Sequence, residues 1–267
     1  MPIEVDSPIR IFTKDEFHKL AHQIMGIVFD VHNEFGRLMN ESVYKNTIRK
    51  RCEDAGIRPA KREVKITVSF QGFLKEYFMD LLFCEGLMVE GKTVAKLTQA
   101  HFAQSLHYLM LTGMRDGLLV NLRPDSVEKE FVSTTLDLNQ RRQIKLYVNE
   151  WIVVSDECDR WRQLLLELLT EWGAFLEIPL YCDAMVHFYG GTDAVRRRIP
   201  IYDGNTLVGT HEVCLLDENT AFAITGLKTK QLTMAAHFQR FLNHTKLTHL
   251  QWVNMNNHDI EFRTIKR

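Results

Sequence analysis

From Thr13 to about Phe35, apolar residues fall at Phe17, Leu20, Ile24, Ile27 and Val28, the spacing of one helix face. Thr13, followed three residues later by Glu16, is a capping box and sets the start of that helix. A second helix is predicted from about Asn40 to Ala55, stopped by Gly56. The period then changes. "VKITVSF" (64–70) alternates apolar and polar positions, "QG" turns the chain, and "FLKEYFMDLLF" (73–83) predicts a returning strand. "CEG" turns it again into the strand "LMVEGKTVA". A helix over about Gln99–Thr112, the short apolar strand "GLLVN" (117–121) and a strand from Lys129 to Thr134 follow. The polar, weakly periodic segment 134–143 reads as a linker.

Beyond that segment the same order recurs. "EFGRLMNESVY" (34–44) aligns with "EWGAFLEIPLY" (171–181) without a gap, keeping glycine and the tyrosine eight residues after it. The strand–turn–strand pattern recurs in 195–217, and "LMLTGMRDGLLVN" (109–121) aligns with "LNHTKLTHLQWVN" (242–254). Such ordered self-similarity predicts two tandem αβββαβ units, at roughly 1–135 and 145–267.

Composition narrows the class. The 267 residues are 45% hydrophobic and 25% charged, as in a globular protein with a sizeable core. A formal net charge of -1 gives no global attraction to nucleic acid, although a local basic groove stays open. No apolar run reaches the roughly 18 residues that span a bilayer, and no signal peptide is evident at the N-terminus. The five cysteines are scattered and without a CxxC pair, which argues for reduced thiols in a cytoplasmic setting.

Against this background, Asp80, Glu90 and Lys92 are out of place, because each falls in a run that otherwise reads as a core strand. A three-residue loop, Cys84–Glu85–Gly86, with Gly86 in the left-handed position, pairs Phe83 with Leu87 and sets Asp80 opposite Glu90. Glu90 and Lys92 then share that face. A two-residue loop would put the two acids on opposite faces. Adjacent carboxylates repel unless a proton or cation lies between them. Mg2+ suits such a pair, being held by one or two carboxylates plus water and phosphate oxygens. The lysine two residues on would stabilise charge developing on a phosphodiester. By spacing alone, E-x-K is most often a surface ion pair.

Gly36, Glu41 and Tyr44 in "GRLMNESVY", Asp80 in "MDLLF", Glu90 and Lys92 in "VEGK", Gln104 in "HFAQSLHYL", and "GLLVN" together resemble the GxxExxY family of PD-(D/E)XK nuclease-like proteins. The resemblance covers about residues 20–133. It implies an α/β fold with a mixed four-stranded sheet flanked by helices, and metal-dependent hydrolysis of nucleic acid, DNA in the first place with RNA as the alternative, using Mg2+ or Mn2+. Carried over, Asp80 and Glu90 would be metal ligands, and Glu41 an outer ligand or water-holder. Lys92 would be the catalytic lysine, and Gln104 would position water or phosphate. Gly91 departs from the pattern, standing where the family usually has an apolar residue.

The second half offers an internal comparison. Aligned by pattern, Ile178 stands for Glu41, Cys214 for Asp80, about Thr225 for Glu90, about Leu227 for Lys92 and about His237 for Gln104. The charges are gone, while Gly173, Tyr181 and Asn254 match Gly36, Tyr44 and Asn121. That pattern predicts a site in the first unit and a degenerate second copy. The alternative is a binding module, for nucleic acid or protein, that keeps a nuclease-like fold. Other groups have plainer readings. His18/His22 read mainly as partly exposed helix surface, His101 and His107 flank Gln104 with a site role open only to His101, "IRKR" (48–51) and "VRRRI" (195–199) read as solvated faces or phosphate contacts, and "YGGT" (189–192) as a turn.

Overall fold

The computed structural model describes residues 2–267, which divide into two compact units, Met1–Leu138 and Asn139–Arg267. The first unit runs β1 (Ile3–Val5), α1 (Lys14–Phe35), α2 (Glu41–Asp54), β2 (Ala60–Phe70), β3 (Phe73–Phe83), β4 (Leu87–Lys92), α3 (Gln99–Thr112), β5 (Asp116–Asn121) and β6 (Glu128–Ser133). Its sheet has six strands in the order β1-β2-β3-β4-β5-β6. Neighbours are antiparallel except β4 and β5, which run parallel across the α3 crossover. The resemblance implied four strands and the local pattern five; the sixth, the three-residue β1, lies at the edge, where a short segment adds by backbone pairing and needs no strong apolar pattern of its own.

Local chemistry explains the elements. Thr13 and Glu16 exchange both capping bonds, so α1 starts where the capping box placed it. The buried face of α1 (Phe17, Ala21, Ile24, Val28, Val31) and of α2 (Tyr44, Ile48, Cys52) packs on Leu81, Phe83, Leu87, Val89, Leu118 and Val120. These strand residues alternate, so one sheet face carries the core and the next position in each strand points the other way. Asp80, Leu82, Met88 and Glu90 belong to that second set.

The β3–β4 turn has the expected length, with Phe83 paired to Leu87. Its conformation differs from expectation. The positive φ angles belong to Cys84 (49°) and Glu85 (60°), not to Gly86. Gly86 is needed for space: a Cβ there would lie 2.5 Å from Phe12 Cε1 and 2.8 Å from the Arg10 carbonyl oxygen.

The second unit begins within the segment expected to be a linker. That segment forms the short helix α4 (Leu138–Arg141), and Arg141 is buried with its guanidinium donating to the carbonyls of Trp172 (2.6 Å) and Ala174 (3.5 Å). An arginine held by two carbonyls is a structural anchor, which polar composition alone disguised. Then come β7 (Lys145–Glu150), α5 (Asp156–Trp172), α6 (Ile178–Phe188), α7 (Thr192–Val195), β8 (Arg196–Asp203), β9 (Thr206–Leu215), β10 (Thr220–Thr225), α8 (Gln231–Asn243), β11 (His249–Asn256) and β12 (Asp259–Lys266). The sheet order is β7-β12-β11-β10-β9-β8, with β10 and β11 parallel across α8. Strands β8 to β12 thus repeat the order and directions of β2 to β6. The accessory strand differs: β1 adds beside β2, whereas β7 adds beside β12.

The residues shared by the two halves have structural duties. Tyr44 Oη donates to the Gly36 carbonyl at 2.5 Å, and Tyr181 Oη to the Gly173 carbonyl at 2.5 Å, each closing the turn between two helices. Asn121 accepts from the Val94 N–H (3.1 Å) and donates to the Val94 carbonyl (2.8 Å). Asn254 does the same to Leu227, at 2.7 and 3.0 Å.

Candidate active site

The β3–β4 ladder runs from Phe83↔Leu87 to Leu81↔Val89 and goes no further. One step on, side chains replace the missing ladder bonds. The Asp80 N–H donates to Glu90 Oε1 at 3.0 Å, and the Gly91 N–H donates to Asp80 Oδ2 at 3.0 Å. The two carboxylates therefore meet at the point where the strands part. Lys92, two residues along β4 from Glu90, brings its Nζ to 3.4 Å from Glu90 Oε2 and 4.0 Å from Asp80 Oδ2. Asp80, Glu90 and Lys92 form one cluster.

Glu41 joins through a residue not singled out in the sequence. Lys45, one turn further along α2, lies 2.5 Å from both Glu41 Oε1 and Asp80 Oδ1 and is itself buried. The Tyr44–Gly36 bond fixes the start of α2 and so aims both Glu41 and Lys45 at the sheet. A signal existed: Lys45 shares the inward-facing stripe of α2 with Ile48 and Cys52, where an ordinary surface i,i+4 partner would not lie. A Cβ at position 91 would stand 3.5 Å from Lys45 Cε and 3.7 Å from Cγ, ordinary contact distances, so the lysine stem packs directly over Gly91.

Gln104 is not brought to the cluster. Its amide donates to Tyr108 Oη at 3.1 Å, one turn along α3. Nor do the histidines assemble a site. His101 Nδ1 accepts from the Thr98 N–H at 3.0 Å and serves the N-terminus of α3, and exposed His18 packs edge-on against Phe131. The "IRKR" run is occupied in surface ion pairs, Arg49–Glu53, Lys50–Asp54 and Arg51–Glu34.

The electrostatics are those of crowded acids. Glu90, 1% exposed, is pushed up to about 8, by burial first and by the Asp80 charge second, with Lys92 pulling the other way. Burial pulls Lys45 down, but its bonds to Asp80 and Glu41 outweigh that and leave it above its ordinary value. With Glu90 protonated, Asp80 and Glu41 balance Lys45 and Lys92, and the cluster turns one charge negative only when Glu90 ionises. Glu41, with 35% of its side chain exposed, is the open side.

A divalent ion fits this donor set in a specific way. Among the described residues no group of three or more His, Cys, Asp or Glu side chains surrounds one ion position. Two hard carboxylates do converge, and an ammonium already stands against Asp80 as a cation. That is the donor set of an ion such as Mg2+, which completes its shell with water and phosphate oxygens.

The strand pairing also corrects the comparison between halves. Lys92 pairs with Asn121, and Thr225 pairs with Asn254. Thr225 therefore stands for Lys92 and Ala223 for Glu90, while Val213, one step beyond Cys214↔Phe222, stands for Asp80. Pattern alignment had displaced these by one or two positions, because it could not see the loop lengths between strands. The replacements remain uncharged, and the Thr225 hydroxyl is already committed to Asn254 and Trp252.

Residues 18–134 match the family model of the PD-(D/E)XK nuclease superfamily, a stretch inside the first unit. No curated protein and no solved structure matches the chain. No helix among the described residues is long and apolar enough to cross a membrane.

Proposed function

We propose that the first unit is a metal-dependent nuclease domain that hydrolyses phosphodiester bonds of DNA at Asp80, Glu90 and Lys92. The observation that carries this reading is the convergence of both carboxylates and the lysine where β3 and β4 separate. Asp80 and Glu90 would hold Mg2+ or Mn2+, which when bound supplies an activated water and neutralises charge on the phosphate. Lys92 presents an ammonium, oriented by Glu90, to the negative charge that develops on the phosphoryl oxygens. Glu41, on the open rim, accepts a hydrogen bond from water entering the site. Gln104 donates to Tyr108 on its own helix, and no role is proposed for it. The second unit reads as a degenerate copy, because it repeats the strand order, the Tyr–Gly bond and the Asn bracket without the charges.

One observation favours a second reading. Lys45 pairs with both Asp80 and Glu41, so the chain itself supplies a cation to these acids, as a nuclease-like module that binds nucleic acid without cutting it would require.

The test is incubation of the full chain with single- and double-stranded DNA and RNA in Mg2+ or Mn2+, beside Asp80→Asn and Glu90→Gln. Cleavage lost in both variants supports the nuclease. Binding in mobility shifts that persists in EDTA, without cleavage of any substrate, supports the binding module and removes the nuclease.

A further inference from the structure

We infer that Lys45 is a tethered cation holding the position on Asp80 that a divalent ion would take, so that metal loading requires this lysine to move aside. The inference rests on the reading of Asp80 and Glu90 as the ion-holding pair.

Each carboxylate oxygen of that pair already has a donor. Asp80 Oδ2 and Glu90 Oε1 are taken by backbone N–H groups of Gly91 and Asp80. Those donors belong to the strands and cannot leave without opening the sheet. Glu90 Oε2 faces Lys92. Only Asp80 Oδ1 is held by a group from outside the β3–β4 hairpin, Lys45 of α2 at 2.5 Å. A buried ammonium is tolerated because two carboxylates pair with it. Lys45 also has somewhere to go, since Glu41 lies on the exposed rim and already holds the same Nζ at 2.5 Å. Moving toward Glu41 would free Asp80 Oδ1 without leaving the ammonium unpaired.

The lysine stem lies directly over Gly91, where a Cβ would stand at ordinary contact distance from Cε (3.5 Å) and Cγ (3.7 Å). The second unit follows the same logic in reverse: Cys182 stands after Tyr181 where Lys45 stands after Tyr44, and Ile178 and Val213 stand where Glu41 and Asp80 would need neutralising.

The experiment compares Mn2+ binding to the full-length wild-type chain and to Lys45→Met, which keeps the stem and deletes the charge, by titration calorimetry without nucleic acid. The expected result is an affinity about tenfold or more higher in the variant, as removing a like charge from a partly buried site requires. A second measurement uses the native chain and no variant. Acylation of lysines, read residue by residue by mass spectrometry, should increase at Lys45 when Mn2+ is added. Equal affinity in the two proteins, or Lys45 as protected at saturating Mn2+ as without it, overturns the inference while leaving the ion-holding pair in place. Absence of binding in both proteins overturns the inference and the metal-site reading together. Tighter binding in Lys45→Met with no cleavage of any substrate upholds the inference and removes only the hydrolysis.

Discussion

The backbone N–H of Asp80 donates to Glu90 Oε1 at 3.0 Å, so the two acids of the cluster are joined through the strand itself. Closeness of this kind has a thermodynamic signature. Glu90 ionises near 4.5 in an unfolded chain and about 8 in the folded one. Between those values the folded state holds a proton that the unfolded state has released, so stability falls as pH rises. Without divalent ions, the wild type should lose stability relative to Glu90→Gln from about pH 4.5 to about pH 8, and the difference should then level off. Urea midpoints across that range measure it. A difference that stays constant with pH would show that Glu90 ionises normally.

The paired tyrosines should be worth similar amounts. Tyr44→Phe and Tyr181→Phe each delete a hydroxyl bonded to a helix-terminal glycine carbonyl, part-buried at Gly36 and buried at Gly173. Each should cost about 1–2 kcal/mol in chemical denaturation. Tyr44→Phe should also weaken Mn2+ binding, because it loosens the start of α2 that aims Glu41. Tyr181→Phe should not.

Asn121→Ala leaves both the N–H and the carbonyl of Val94 without their partner and should destabilise by at least about 2 kcal/mol. Asn254→Ala should do the same through Leu227. Thermal melts of the single variants check this. A loss below about 0.5 kcal/mol in either would mean that water replaces the amide.

The β3–β4 turn makes a less obvious prediction. Gly86→Ala should destabilise by about 1–3 kcal/mol, since its methyl would meet Phe12 and the Arg10 carbonyl. Glu85→Gly should instead stabilise, by up to about 1 kcal/mol, by relieving a φ of 60° on a residue with a side chain. Denaturant melts of the two variants should move in opposite directions. A gain from Gly86→Ala would show that Phe12 gives way.

Much of the fold could be read from local pattern. The limits of α3 and of β3 coincide with those predicted, and the capping box of Thr13 and Glu16 forms as written. These are features whose cause lies within a few residues: a helical period, an alternation, a cap. The edge strand β1 escaped notice because it is stabilised by Val68, Thr67 and Ile66 on a distant segment and not by its own pattern. Arg141 was hidden for a similar reason, since the carbonyls that hold it lie more than thirty residues away.

For the cluster the division is equally physical. The sequence by itself determined that Asp80, Glu90 and Lys92 would share a neighbourhood, because loop length and strand alternation leave few registers for a hairpin. Only the tertiary structure decided what neutralises them. Lys45 reaches Asp80 from a different element, over a glycine that reads in sequence as a weakness of its strand. Gln104, placed by resemblance beside the acids, turns to its own helix instead. Short-range rules fix which face a side chain takes; which partner waits there depends on how separate elements pack.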